Sequence, residues 1–181
     1  LVLIWGTDAS GGRRETSISY PDFETWQKEA RGFEGMAAFT SRAVILGGED
    51  QPELVPGVQT TTDFFRVLGV EPTGGRTFAD GDAAPDANPV AVVSAAASRR
   101  LFGGQTDVVG RSIRVNNKLH TIIGVVPSSM HFIPTEQEQV YTLLPRETDR
   151  QHGYLGTVAR LRPEETVASA QSEMDVIAGR I

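Results

Sequence analysis

One stretch of the chain, from 88 to 127, constrains the fold more than any other. It reads NPVAVVSAAASRRLFGGQTDVVGRSIRVNNKLHTIIGVVP, and the unbroken apolar run VAVVS at 90–94 predicts a buried strand. Ser94, the last residue of that run, stands where a side chain can cap a helix. The Gly103–Gly104 pair predicts the end of this helix. The stretch therefore predicts a strand that leads directly into a short helix.

The second half of the same stretch predicts a two-stranded hairpin. The segments RSIRVNN and KLHTIIGVV read as strands, and they meet at Asn116–Asn117. Asparagine tolerates the left-handed backbone that tight hairpin turns require. Almost no side chain in the stretch can do chemistry. A well-specified scaffold of this kind indicates a binding or coupling module.

The rest of the chain predicts an α+β fold, in which strands are grouped rather than strictly alternating with helices. The remaining segments predict a strand at 1–5, a helix at 21–32, strands at 33–48 and 53–61, a short helix at 63–69, a loop at 71–88, a strand at 139–145, a polar loop at 146–153, a strand at 154–162 and a helix at 166–180. No internal repeat interrupts this order.

Several side chains are placed to define the ends of these helices. Ser19 and Asp22 have the spacing of a capping box at the start of the first helix, and Gly32 predicts its end. Thr62 is placed to cap the next helix, which Gly69 is expected to end.

Two further patterns concern burial. Pro56 predicts an edge position or a bulge, because proline cannot donate a hydrogen bond to a neighbouring strand. The last helix shows one apolar stripe at helical spacing, which is expected to face the core. Its members are Val167, Ala170, Met174 and Ile177.

The charge and composition argue against several classes of function. The chain has 181 residues, a formal net charge of -6 and a pI of about 5.1, which disfavours nucleic-acid binding. Adsorption to anionic lipids is disfavoured for the same reason. Cysteine is absent, which excludes disulfides, thiolate metal sites and cysteine nucleophiles. The apolar start at 1–5 is too short for a membrane span or a signal peptide, and it suits a first strand of an excised fragment or a processed product.

The three histidines form no metal-binding pattern. His120, His131 and His152 lie on different predicted elements, and none has a second histidine at ligand spacing. We interpret His120 as a strand residue on the more exposed face of the hairpin. No metal site and no cofactor site is predicted.

An acidic loop, FADGDAAPDAN, offers the alternative of a calcium site. It carries Asp80, Asp82 and Asp86, but Ala84 and Pro85 stand where a calcium-binding EF-hand has an oxygen ligand and a glycine. A solvated loop is therefore the favoured interpretation. Calcium binding stays open only if other loops contribute oxygen atoms.

Ser94 occupies the kind of strand-to-helix junction that holds the nucleophile of some hydrolases. A nucleophile elbow needs glycine on both sides of the serine, whereas Val92 and Ala96 stand at those positions. Helix capping is therefore favoured, and no catalytic residue is predicted. The Gly-Gly pairs also lack the residues that follow glycines in phosphate-binding loops.

One locally basic zone stands out on this acidic chain, and it is the predicted site of partner contact. A solvated face of helix and hairpin is the alternative interpretation. The basic zone consists of Arg99, Arg100, Arg111, Arg114 and Lys118.

Four stretches together resemble the extracytoplasmic core domain of MacB-type, FtsX-like ABC-transporter permeases. In chain order they are YPDFETWQKEARGFEGMAAF, GVQTTTDFFRVLGVEPTGGRTFADGD, PVAVVSAAASRRLFGGQTDVVGRSIRVNNKLHTIIGVVP and LGTVARLRPEETVASAQSEMDVIA. The Tyr-Pro-Asp start and the RLRPEETV segment are most similar to the duplicated orphan permeases of acidobacteria.

This resemblance implies a location and an architecture. The domain would stand in the periplasm, between the first and second transmembrane helices of an inner-membrane permease. It would have two lobes, a porter-like lobe at 1–70 with 154–181 and an inserted, mostly β lobe at 71–153. The helix at 166–180 would continue into the second membrane helix, and the strand at 1–5 would follow the first.

The resemblance also implies a non-enzymatic function. A cytoplasmic ATPase subunit or domain would drive the membrane helices during efflux or export, and this domain would transmit the motion to a substrate or a periplasmic partner. A permease dimer and a periplasmic adaptor are implied as partners. Two alternatives stay open, namely a ligand-sensing domain of a signalling permease and a hydrolase that uses Ser94.

Overall fold

The computed structural model of the protein describes residues 1–7, 15–47, 52–103, 107–128 and 140–180. Within these ranges the strands are β1 Val2–Ile4, β2 Gly6–Thr7, β3 Glu15–Thr16, β4 Phe33–Leu46, β5 Glu53–Thr60, β6 Gly74–Gly75, β7 Val90–Ser94, β8 Ser112–Val115, β9 Lys118–Val126, β10 Val140–Leu143 and β11 Gly156–Leu161. The helices are α1 Tyr20–Glu29, α2 Phe64–Leu68, α3 Ala95–Leu101 and α4 Val167–Ala178. A 3-10 helix spans Asp80–Ala83. The predicted α+β class is confirmed.

Helix α1 begins where the sequence predicts but ends earlier. The Ser19 hydroxyl accepts a hydrogen bond from the backbone of Asp22 at 3.2 Å and donates one to the Asp22 carboxylate at 2.7 Å. The predicted end at Gly32 is wrong, because the helix ends at Glu29 and Ala30 closes it with a hydrogen bond to the Trp26 carbonyl.

Helix α2 ends as expected but is capped differently. Gly69 adopts a left-handed backbone with φ of 71°, a conformation that glycine enters at little cost. Thr62 is not its cap: the N-cap residue is Asp63, and the Thr62 hydroxyl instead donates to the Asp80 carboxylate at 3.0 Å. The threonine therefore holds the 3-10 helix against the start of α2.

The described part of the stretch from 88 to 127 folds as its pattern predicts, and Gly104 lies outside the described residues. The Ser94 hydroxyl accepts a hydrogen bond from the Ala97 backbone at 3.1 Å, which caps α3. Gly103, with φ of 61°, follows the helix end. Both Asn116 and Asn117 have positive φ, at 47° and 64°, and they join β8 to β9 in a two-residue turn.

Nine of the described strands form one sheet, in the order β1-β11-β4-β5-β10-β7-β9-β6, with β8 pairing both β9 and β4. The second contact of β8 closes β4, β5, β10, β7, β9 and β8 into what we call the six-strand ring. Leu46 faces Val115 across the closure, and the Asn116 side chain accepts a hydrogen bond from Ile45 N at 2.9 Å. The Asn116 backbone donates to the Ile45 carbonyl at 2.8 Å. One turn residue therefore both reverses the chain and closes the ring.

Three apolar clusters pack this arrangement. The first lies between α1, α4 and the strands β1, β11 and β4, with Phe23, Trp26 and Met174 among its buried members. The second packs α2 onto the sheet around Phe65 and Tyr141, whose rings are 5.1 Å apart. The third fills the six-strand ring and packs it against α3; its members are Val44, Leu46, Val55, Ala91, Val93, Ala97, Val108, Val115, Ile122, Val125 and Val140.

Three expectations about burial can be compared with the structure. Pro56 lies in the part of β5 that pairs with β4 but precedes the contact with β10, so its missing donor is tolerated. The stripe on α4 is wrong at Val167, which is 65% exposed, whereas its other three members are buried. The loop at 71–88 is more structured than expected, because it contains β6 and the 3-10 helix and buries Phe78.

The two predicted lobes stay a prediction. Strand β5 belongs to the first range and β10 to the second, and these two strands pair in parallel from Gly57 to Thr60. The sheet therefore runs without a break from one range into the other.

Two fully buried threonines give opposite predictions for stability. The Thr157 hydroxyl has no hydrogen-bonding partner among the described residues, whereas the Thr60 hydroxyl donates to the Ala38 carbonyl at 2.9 Å. We expect Thr157→Val to raise the free energy of unfolding by about 1 kcal/mol, because an unsatisfied buried hydroxyl is removed. Thr60→Val should lower it by about 1 kcal/mol, because the Ala38 carbonyl loses the hydroxyl and keeps only its hydrogen bond from the Thr61 backbone. Urea unfolding of both variants measures the change in the free energy of unfolding. Equal changes of the same sign would contradict the assignment of one unsatisfied and one hydrogen-bonded hydroxyl.

Candidate functional site

The helix part of the basic zone lies at the end of α3. Arg99 and Arg100 are exposed in the last turn, and Arg100 pairs with Glu53 at the start of β5. Arg111 is close to the same end, because its guanidinium lies 5.4 Å from the centre of the Phe102 ring. These three cations therefore share one region of the surface.

The hairpin part of the basic zone divides between two faces. Lys118 is opposite Val115, a residue of the core inside the six-strand ring, while Arg114 is opposite the exposed Leu119. Neighbouring positions on a strand point to opposite faces, so Arg114 and Lys118 do not form one patch. Arg114 donates to the Asn117 carbonyl at 3.2 Å. Partner contact by the basic zone stays a prediction.

The described histidines take part in local contacts. His120 Nδ1 lies 2.8 Å from the Lys118 carbonyl, and burial lowers the pKa of His120. His152 Nδ1 lies 2.9 Å from Glu147, and its ring stacks on Tyr154 at 4.6 Å between centroids. Burial raises the pKa of Tyr154 to about 12. The third candidate, His131, lies outside the described residues.

Ser94 is placed as a structural residue. It is 2% exposed, and its hydroxyl caps α3. In the sheet it is opposite Val126, and His120 lies six residues earlier on the same strand, roughly 20 Å away at the usual rise per residue. His120 cannot act as a base for Ser94 at that distance, and the hydrolase alternative is not favoured.

The acidic loop is held by hydrogen bonds within the protein. Asp82 receives two from Arg76, at 2.6 and 2.8 Å, and one from the Ala79 backbone at 2.8 Å. Arg76 is the main reason that the pKa of Asp82 lies below its usual range. Asp80 accepts from Thr62. Across the described ranges, no three acidic or histidine side chains come together as a metal would require.

Helix α4 is attached to the junction between α1 and β4 by one carboxylate. Glu173 accepts hydrogen bonds from the Arg31 backbone at 2.7 Å and from the Gly32 backbone at 2.9 Å. A Cβ at Gly32 would lie 3.0 Å from the Glu173 carboxylate, so the glycine lets the carboxylate approach the backbone closely. We call this contact the Glu173 clasp. The sequence does not reveal this contact, because its partners lie more than 140 positions apart.

Two more contacts strengthen the same junction. The Arg162 side chain donates to the Arg31 carbonyl at 2.7 Å, and the Arg162 backbone donates to the Gly32 carbonyl at 3.1 Å. At the far end of α4, Arg180 pairs with Glu29 at 2.7 Å. Strand β11, helix α4 and the start of β4 are therefore joined at one point.

Among the cavities on the surface of the described residues, two are relevant to function. The first, of about 750 Å³, is a groove between β1 and α4 with Leu3, Trp5 and Val167 in its apolar walls. The second, of about 400 Å³, lies at one end of the six-strand ring; we call it the ring mouth. Its polar lining residues are Gln59, Asp82, Asn116, Lys118, His120, Thr142 and Arg146.

Comparison with known proteins identifies the family. The sequence profile described as MacB-like periplasmic core domain matches residues 1–177. The chain therefore belongs to the family of MacB-like periplasmic core domains. No curated protein sequence matches it significantly. Among the described helices, none has the length and apolar character needed to span a membrane.

Two solved structures share the fold. The periplasmic region of MacB from Actinobacillus actinomycetemcomitans is similar with a TM-score of 0.74 and 17% identity, over 98% of this chain and 82% of that one. The extracellular domain of the noncanonic ABC-type transporter YknZ from Gram-positive bacteria is similar with a TM-score of 0.70 and 14% identity, over 98% of this chain and 92% of that one.

These findings confirm the predicted family and location. The chain is an extracytoplasmic domain of a MacB-like ABC-type transporter permease, so it works in the setting of an ATPase and a membrane. The family is one of transporter permeases and not a known class of enzyme.

The Asp82 contacts predict how stability depends on pH. A carboxyl group with a lowered pKa stabilises the fold above its unfolded pKa of about 3.9, and this contribution is lost as pH falls through the folded pKa. We expect Asp82→Asn to lower the free energy of unfolding by about 1 kcal/mol at pH 7, because Arg76 is half exposed. The difference from the unaltered protein should shrink below about pH 4.

Thermal unfolding of both proteins between pH 2 and pH 7 measures this dependence. Asp86→Asn is the matched control, because Asp86 is an exposed residue of the same loop with no ion pair to a described residue. A difference for Asp82→Asn that stays constant over the whole range would contradict the assignment.

Proposed function

We propose that this domain couples movement of the permease's membrane helices to a periplasmic substrate or partner during efflux or export. Following the resemblance, one membrane helix would precede β1 and another would follow α4. The observation that carries the proposal is the Glu173 clasp, which links α4 to Arg31 and Gly32, the two residues that precede β4.

The clasp is suited to transmit force because of what β4 contacts. This strand is 14 residues long, and its first half pairs with β11 while its second half belongs to the six-strand ring. A displacement of α4 therefore reaches the ring through a continuous hydrogen-bonded strand. Between α4 and β4 the route passes through the short connection at Arg31 and Gly32, which Arg162 also holds by two hydrogen bonds.

The first and last elements also lie near each other. Residues 2–6 and residues of α4 line the two sides of the groove beside β1. A change in the separation of two membrane helices would therefore act on both sides of one groove. The clasp would carry that change away from the membrane.

Partners belong to the same proposal. A permease dimer would place two such domains side by side, and a periplasmic adaptor would receive the transmitted movement. The exposed end of α3, with Arg99, Arg100 and Arg111, is the part of the basic zone best placed to contact an acidic partner surface.

Loss of the clasp should remove the hydrogen-bonded link between α4 and the strand that leads into the six-strand ring. Hydrogen bonds to a charged group contribute about 1.5–3 kcal/mol, so we expect Glu173→Ala to lower the free energy of unfolding by about 1–2 kcal/mol in this half-buried site. Glu164→Ala is the matched control, because Glu164 is exposed and has no ion pair to a described residue. Urea unfolding measures both.

The coupling itself can be measured in the full-length permease that carries this domain. Because this chain contains no cysteine, spin labels can be placed in it through Val176→Cys on α4 and Leu54→Cys on β5, two exposed positions. We expect a narrow distance distribution that ATP does not change, and a distribution broadened by ATP when Glu173→Ala is added. A distance that changes with ATP in the unaltered domain, or no broadening in the variant, would overturn the proposal.

A further inference from the structure

The ring mouth is built from side chains that point into the six-strand ring. Gln59 is opposite Thr142, and Thr142 is opposite Ala91, which belongs to the core inside the ring. Side chains directly opposite each other share a face, so Gln59 and Thr142 form the floor of the mouth. His120 is opposite Ile113, which packs against the same core.

The charges around the mouth leave one cation unneutralised. Asp82 is held by Arg76, and Arg146 pairs with Glu24 at 2.9 Å. Lys118 lines the cavity and forms no ion pair with any described residue. An ammonium group at a cavity without a counterion favours an anionic ligand.

The neutral side chains of the mouth can both donate and accept hydrogen bonds, so a complementary ligand carries hydrogen-bond donors as well as acceptors. The contact between His120 Nδ1 and the Lys118 carbonyl makes Nδ1 the donor, which leaves Nε2 as an acceptor in the neutral ring. Thr142 is 6% exposed, lines the cavity and has no side-chain hydrogen bond to a described residue. Its hydroxyl and the Gln59 amide can each donate and accept.

We propose that the ring mouth binds a small organic anion that carries a carboxylate beside hydroxyl groups. The carboxylate would pair with Lys118, while the hydroxyl groups would donate to His120 and exchange hydrogen bonds with Gln59 and Thr142. A cavity of about 400 Å³ lies at the small end of ligand pockets and suits a molecule the size of a sugar acid. This site is independent of the Glu173 clasp and of the proposed coupling.

The probe is D-glucuronate, titrated into the isotopically labelled 181-residue chain and followed by amide chemical shifts. We expect a Kd of about 1 mM or tighter, with the shifts centred on Gln59, Lys118, His120 and Thr142. D-Glucose has the hydroxyl groups without the charge, and acetate has the charge without the hydroxyl groups. Each should bind at least tenfold more weakly.

Lys118→Gln should weaken glucuronate binding at least tenfold without affecting the fold, because Lys118 is exposed at the turn between β8 and β9. Lys28→Gln, an exposed lysine on α1, is the matched control and should bind like the unaltered chain. Thr142→Ser keeps the hydroxyl and should retain binding. No saturable shifts up to 10 mM, equal binding of glucose, or unchanged binding by Lys118→Gln would each overturn the proposal.

Discussion

The whole structure depends on one long strand that belongs both to the helix-covered part of the sheet and to the six-strand ring. Strand β4 begins at Phe33, beneath α1 and α4, and ends at Leu46, inside the six-strand ring. Met36 and Ala38 face the helices while Val44 and Leu46 face the ring interior, and these even-numbered residues share one face because a strand alternates between two faces. Apolar residues at both ends of β4 therefore keep two separate cores on one sheet face.

The ring needs a second constraint, which is its closure beside the hairpin turn. Gly47 donates to the Arg114 carbonyl at 3.1 Å, and Asn116 exchanges hydrogen bonds with Ile45. Because the ring is closed, β8 has no free edge. One end of the ring stays open and is lined by polar side chains. The Asn116 side chain thus protects an edge and contributes to the rim of the mouth.

The sequence predicts local structure well and long-range contacts poorly. The Ser94 cap, the Asn116–Asn117 turn and the glycine after α2 were predictable, because each depends on residues within a few positions. The end of α1 was not, since the helix stops at Glu29 and Gly32 lies beyond it, where its backbone contacts the Glu173 carboxylate of α4. Val167 looked like a core residue by its spacing, yet it lies in the first turn of α4, beside the open groove. The family and its α+β fold were predictable from four ordered motifs, whereas the ring mouth was not, because four separate segments of the chain build it.

The pairing of β1 has a consequence for biosynthesis. Val2 is opposite Ala159, so the first strand stays without its partner until almost the whole domain has left the ribosome. Until then the apolar residues at 1–5 are exposed to solvent as a free strand edge, which favours aggregation. The pairing of β1 with β11 is therefore among the last to form. Until it forms, rapid completion of the chain or a chaperone that covers β1 would protect the domain from aggregation.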